Sequence, residues 1–271
     1  MTNRCIGVVI AGFVATVGGV ILADEPDTEQ SVDAATIDSG QAATSDAAPV
    51  KAASKKTGSD ALEQAAKADK YLFALFRKAE DDKTAEMRQV LAAAMDKIAD
   101  RAESVEVDVT AESEEAIVNR YRLQYAPMPL LLAIAPNGVI TGGFPVRVNE
   151  ESLLNAFTTP RTTTLLKALE EGKLVFVCVQ NAKSEARKKA MRGVRKFKRD
   201  PRFAGATETI TVDPADAAER ELLENLRIDP KTPEAVTVFF GPRGRPIGEF
   251  YGETNLDELV YTLQQSLSGF G

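Results

Sequence analysis

From residue 61 onward the apolar positions change their period in a fixed order, and they do so twice. A short helical stretch, "DALEQAAKADK" (60–70), leads into the all-apolar run "YLFALF" (71–76), which the pattern predicts as a buried strand. Met87, Val90, Leu91, Ala94 and Ile98 then recur at helical spacing. A second strand, "VEVDV", an amphipathic helix, "SEEAIVNRYRL", a third apolar strand, a Gly turn and a final strand ending at Phe144 complete the plan. A closing helix follows around Leu153 to Phe157.

The second pass repeats this order with "TTLLKALEEGK", "LVFVCV", a helix on Ala186, Ala190, Val194 and Phe197, then "TITVD" and "AERELLENLRI". Its last helix runs around Leu259 to Leu263. The order is α-β-α-β-α-β-β-α in both halves. Helices between the first three strands imply crossovers and a partly parallel sheet, and the tight turn between the last two implies an antiparallel hairpin. The expected architecture is α/β: two domains, 61–160 and 161–271, each a mixed sheet sandwiched by helices.

The punctuation is also repeated. "APMPLLLAIAPNGVITGGF" (126–144) and "TPEAVTVFFGPRGRPIGEF" (232–250) match at an offset of 106: Pro127 with Pro233, Pro136 with Pro242, Gly138 with Gly244, Phe144 with Phe250. From Val107 with Val212 to Leu123 with Ile228 the offset is 105 without a gap. So many matched positions make internal duplication the strongest inference in the sequence. The turn "APNG" itself reads as plain hairpin chemistry.

That strand order, with "VDV" or "VDP" after the second strand and a Pro-led third strand ending in a Pro-x-Gly turn, resembles the thioredoxin superfamily, over roughly 61–158 and 163–268. The resemblance implies a cis proline entering the third strand, facing a Cys-x-x-Cys across a shallow peptide-binding groove. Pro127 and Pro233 match that proline; Pro129 competes in the first copy, but only Pro127 keeps the 106 spacing. The groove would then lie at Ala126, Pro127, Thr232 and Pro233.

The reactive dithiol is missing. After the first strand of each copy the chain reads "RKAEDDKTAEM" and "QNAKSEARKKA", without a cysteine in either. Disulfide exchange needs a low-pKa thiolate and a second thiol to resolve the mixed disulfide. Histidine and tryptophan are absent from all 271 residues, which removes every imidazole mechanism and His-ligated metal. No cofactor or metal is expected. Cys178, within "VFVCVQ", reads as a small apolar strand residue, with a single-cysteine redox site or intermolecular disulfide as the alternative.

The N-terminus adds a location. Arg4 followed by "IGVVIAGFVATVGGVILA" and an abrupt acidic stretch from Asp24 reads as a signal peptide over 1–23 cleaved after Ala23, with a retained anchor over Ile6 to Ala23 as the rival. Residues 24–60 carry seven acids before Lys51 and no apolar period, the composition of a disordered acidic linker. An exported protein, periplasmic or extracellular, is expected. Without its signal it holds one cysteine and so no internal disulfide.

Two charge clusters remain. "RKKAMRGVRKFKR" (187–199) has eight Lys or Arg in thirteen positions, and Lys188, Lys189, Arg192, Arg195, Lys196 and Arg199 share one helical face. The face reads as solvated surface or as a stripe for an anionic surface or polymer; nucleic acid fits least, because aromatic stacking partners are lacking. Glu80, Asp81 and Asp82 sit where a helix N-terminus favours acids, and their spacing is not that of a calcium loop. The sequence therefore describes a tandem protein without its dithiol that binds a protein or extended peptide, as chaperone-like module or adaptor. A thiol–disulfide oxidoreductase-related protein using Cys178 or a partner's thiols is the alternative, and contact with a membrane follows only if the N-terminal segment stays attached.

Overall fold

A computed structural model describes residues 56–268 of the chain. The signal-like stretch 1–23 and the acidic tether up to residue 55 lie outside the described residues, as do residues 269–271. No helix among the described residues is long and apolar enough to cross a membrane.

The first copy runs α1 (Gly58–Lys67), β1 (Tyr71–Arg77), α2 (Asp82–Ile98), β2 (Ala102–Asp108), α3 (Glu115–Arg120), β3 (Leu130–Ile134), β4 (Ile140–Pro145) and α4 (Glu150–Leu154). The second runs α5 (Pro160–Glu170), β5 (Leu174–Val179), α6 (Arg187–Arg199), β6 (Thr207–Val212), α7 (Arg220–Asn225), β7 (Val236–Phe240), β8 (Pro246–Tyr251) and α8 (Leu256–Ser268). Helix α1 starts at Gly58, inside the stretch read as linker, because Thr57 and Asp60 close a capping box ahead of it. A cap of this kind is worth about 1 kcal/mol.

Each sheet has four strands, ordered β2-β1-β3-β4 and β6-β5-β7-β8. In both, the first two strands pair in parallel and the last two pairings are antiparallel. The all-apolar runs are the central strands, buried on both faces: Leu72 to Phe76 and Val175 to Val179 are each at most 1% exposed.

Alternation sorts their side chains into two layers. Phe73 and Leu75 join Met87, Leu91, Ala94 and Ile98 of α2, while Leu72, Ala74 and Phe76 join Ala61, Leu62 and Ala65 of α1 and Ile117 of α3. Phe176 and Cys178 likewise join Val194 and Phe197 of α6 and Leu259 and Leu263 of α8, while Val175, Val177 and Val179 join Leu165 of α5 and Leu223 of α7. Each copy is thus a helix–sheet–helix sandwich. The first turn of β3–β4 also reaches the second copy, where the Asn137 side-chain amide donates to the Thr163 carbonyl at 2.9 Å.

Candidate functional site

The candidate site lies at the end of each sheet where the first strand stops and the next helix starts. Phe76, near the end of β1, pairs with Leu130 at the start of β3, so residues 126–129 lead into the sheet beside the loop that carries Glu80 and Asp81. One cis peptide bond is found among the described residues, at Met128–Pro129. The expectation of a cis bond at Pro127 is corrected by one Pro, and Pro233 has none. The constant spacing that selected Pro127 misled: Pro129 is the residue abutting β3, and its equivalent 106 positions on is Ala235.

The register confirms the equivalence. The Val146 amide donates to the Pro129 carbonyl at 2.7 Å, and the Gly252 amide to the Ala235 carbonyl at 2.8 Å. Both donors are left-handed, Val146 at φ 66 and Gly252 at φ 74. Glycine adopts that conformation freely and a β-branched residue does not.

The two copies differ in what they leave unpaired. In the second, the Glu185 amide donates to the Pro233 carbonyl at 2.8 Å and the Ala235 amide donates to the Glu185 carbonyl at 3.1 Å, so the loop before α6 adds itself to the strand entry as a parallel bridge. The turn places Ala186, the residue capping α6, in the left-handed region at φ 53. In the first copy no such bridge forms. Pro127 is exposed, Ala126 and Met128 are half-buried, and the Pro127 carbonyl and Met128 amide find no hydrogen-bond partner among the described residues. Of the four groove residues proposed from sequence, Ala126 and Pro127 therefore border open backbone, while Thr232 and Pro233 border backbone already paired.

The acidic trio is absorbed by structure. Asp81 caps α2 by accepting from the Thr84 amide at 2.8 Å, which holds its carboxyl below the usual range. Arg88 binds both oxygens of Glu80 at 2.8 Å and reaches Glu106 at 2.8 Å, and Arg77 reaches Glu106 at 2.5 Å and Asp108 at 3.1 Å. The loop that would hold a dithiol is pinned to β2 by this chain of ion pairs.

Cys178 is the free thiol among the described residues and is 1% exposed. Burial pushes the thiol up to about 12, with a Thr237 hydrogen bond pulling slightly the other way. A thiol so disfavoured as thiolate is a poor nucleophile at neutral pH.

The basic face is as the periodicity predicted: Lys188, Lys189, Arg192, Arg195, Lys196 and Arg199 are all exposed, and Ala190, Val194 and Phe197 are buried beneath them. Of the six, Lys189 has an ion pair, with Glu253 at 3.7 Å. Helix α6 is fastened from below by Thr254, whose hydroxyl donates to the Ala190 carbonyl at 2.6 Å. Gly193 permits the approach, since a Cβ there would stand 2.2 Å from the Thr254 hydroxyl.

The order α-β-α-β-α-β-β-α and the strand arrangement with one parallel and two antiparallel pairings decide the architecture. Both copies have the thioredoxin-like fold. No protein-family model matches the chain, and a comparison with curated proteins returns no match. Among solved structures, the first two thioredoxin domains of Saccharomyces cerevisiae Eps1p are 12% identical, with 80% of this chain and 99% of that one covered at a TM-score of 0.31. Human ERp44 in its zinc-bound form is 12% identical over 77% of this chain and 60% of that one, TM-score 0.33. The Drosophila melanogaster thioredoxin Deadhead is 23% identical over 38% of this chain and 93% of that one, TM-score 0.30. The thioredoxin-like copies here thus rest on their own topology.

Proposed function

We propose that this tandem thioredoxin-like chain is an exported, redox-inactive module that binds an extended segment of another protein at the groove of its first copy. The observation that carries the reading is the unpaired Pro127 carbonyl at the entry to β3, where the corresponding Pro233 carbonyl is taken by Glu185. An unpaired carbonyl at a strand entry is a ready acceptor for the amide of an incoming strand, and backbone pairing of that kind is indifferent to side-chain sequence. The second copy supports the division of labour, because its corresponding edge is already closed by Glu185. Its role in this reading is to hold the geometry of the first.

Redox inactivity is supported by two features: neither helix-start loop has a cysteine, and the thiol of Cys178 lies in the core with its pKa raised. Export is supported by the Arg4-led apolar run and the acidic stretch after it. An insulin-reduction assay combined with a binding assay on reduced, carboxymethylated α-lactalbumin tests the reading. It expects no reduction, in wild type or in Cys178→Ala, alongside binding of the unfolded chain. Reduction lost in Cys178→Ala would overturn it in favour of thiol chemistry.

A further inference from the structure

The duplication has left the same cleft in both copies, between the long helix and the edge strand, and the two clefts carry opposite charge. Helix positions correspond at an offset of 103, which sets buried Met87, Leu91 and Ala94 on buried Ala190, Val194 and Phe197. Strand positions correspond at 105, setting Ser104 on Thr209. The first cleft includes Arg88, Ala92, Met95, Asp96, Ser104 and Glu106; the second is lined by Met191, Val194, Arg195, Lys198, Arg199 and Thr209. Arg88 has thus become Met191, and Ala92, Met95 and Asp96 have become Arg195, Lys198 and Arg199.

In the first cleft the cation is spent, since Arg88 is bound to Glu80 and Glu106. In the second, Lys198 pairs with Glu208 at 3.4 Å, while Arg195 and Arg199 have no ion-pair or hydrogen-bond partner among the described residues. Stability does not account for this set. Like charges three and four residues apart repel, and the first turn of α6, where the helix dipole favours acids, holds none.

An independent observation lies at the floor. The Thr209 hydroxyl is buried without a hydrogen-bond partner, whereas buried polar atoms in folded proteins are as a rule paired. Leaving a hydroxyl so costs about 1–3 kcal/mol. A ligand oxygen beside Arg195 and Arg199 would recover that loss.

We propose that the cleft between α6 and β6 binds a small oxyanion-headed molecule with a short apolar body. Arg195 and Arg199 take the oxyanion in the forked geometry guanidinium favours, Thr209 donates its hydroxyl, and Met191 and Val194 pack the body. The cleft volume of about 230 Å³ sets the size. A ~150 Å³ cavity holds a benzene ring, so one ring or a chain of several carbons fits and a long lipid tail does not. This site is independent of the first-copy groove, and either can fail alone.

The test titrates the full chain with octanoate and octyl phosphate, following amide shifts by NMR, against acetate and inorganic phosphate (head without body) and octylammonium (body with the opposite charge). The expected result is saturable shifts in α6 and β6 for at least one octyl oxyanion, with the heads alone and octylammonium at least tenfold weaker. Arg195→Gln with Arg199→Gln should weaken binding about tenfold or more, as loss of hydrogen bonds to a charged group does. Thr209→Val, which keeps the side-chain shape, should weaken it several-fold without lowering the melting temperature. Octylammonium or the heads alone binding as tightly as the octyl oxyanions, shifts centred elsewhere, no binding at all, or unchanged affinity in all these variants would overturn the proposal.

Discussion

The amide of Glu185 donates to the carbonyl of Pro233 across 2.8 Å, and this single contact separates the two halves of a duplicated protein. It seals in the second copy the edge that the first copy leaves open at the Pro127 carbonyl. Native-state hydrogen exchange should report the seal directly. The amides of Glu185 and Ala235 should be protected, and that of Glu234 between the bonded positions, which has no partner among the described residues, should exchange orders of magnitude faster, near the rate of an open loop. Comparable exchange at Glu185 and Glu234 would mean that the seal does not hold in solution.

Glu185→Pro removes the donor and should open the second edge. The lost pairing predicts a stability decrease of about 1–3 kcal/mol by denaturant titration, since Pro also removes a hydrogen-bonded N–H. Exchange at Ala235 should accelerate in parallel. A variant as stable as wild type, with Ala235 still protected, would show that the bridge is incidental.

Val146 stands at φ 66, where its counterpart in the second copy is Gly252 at φ 74. The left-handed conformation strains a β-branched residue by about 1–2 kcal/mol, and glycine removes that strain at some cost in unfolded-state entropy. Val146→Gly should therefore raise stability by about 0.5–1 kcal/mol, read as a higher denaturation midpoint with an unchanged slope. Destabilisation would mean that the half-buried isopropyl group packs better than its backbone suggests.

The architecture was legible because folding chemistry had to be written twice. Two-faced burial of β1 and β5 forces the unbroken apolar runs at Leu72 to Phe76 and Val175 to Val179, and the helices show their period through Met87 to Ile98 and Ala190 to Phe197. The sites were less legible. Equal spacing selected Pro127 because the second copy carries Ala235, not Pro, beside its strand, so the repeat hid the residue that matters. The bridge at Glu185 comes from an irregular loop, which has no period to read. The paired clefts emerge only when helix and strand offsets differ, 103 against 105, a shift that the sequence reveals once the buried faces are known.

The ion-pair chain at the start of α2 predicts an acid response. Hydrogen bonds and charge from Arg88, and then Arg77, hold Glu106 below its ordinary 4.5; Arg88 does the same to Glu80. Thr110 hydrogen bonds, helped by Arg77, lower Asp108 from 3.8. Depressed folded-state values mean that these carboxylates contribute stability above the ordinary values, and that it is lost as pH falls through the lower folded-state ones. Because the groups are largely exposed, the effect is modest and should shrink with added salt. In Arg88→Met the Glu106 carboxyl, followed by NMR titration, should move up toward its ordinary value; an unmoved titration would show that Arg77 alone sets it.

The central claim is that the first copy offers its backbone to another chain while the second does not. The most direct measurement is the amide spectrum of the full chain with and without reduced, carboxymethylated α-lactalbumin, a polypeptide with neither fold nor free thiol. The account predicts that the Met128 amide, which shares its peptide group with the Pro127 carbonyl, shifts or broadens, and that Glu185 and Ala235 stay unchanged. Changes centred on residues 185 and 233–235, or none near Met128 at concentrations where the two chains demonstrably bind, would contradict it.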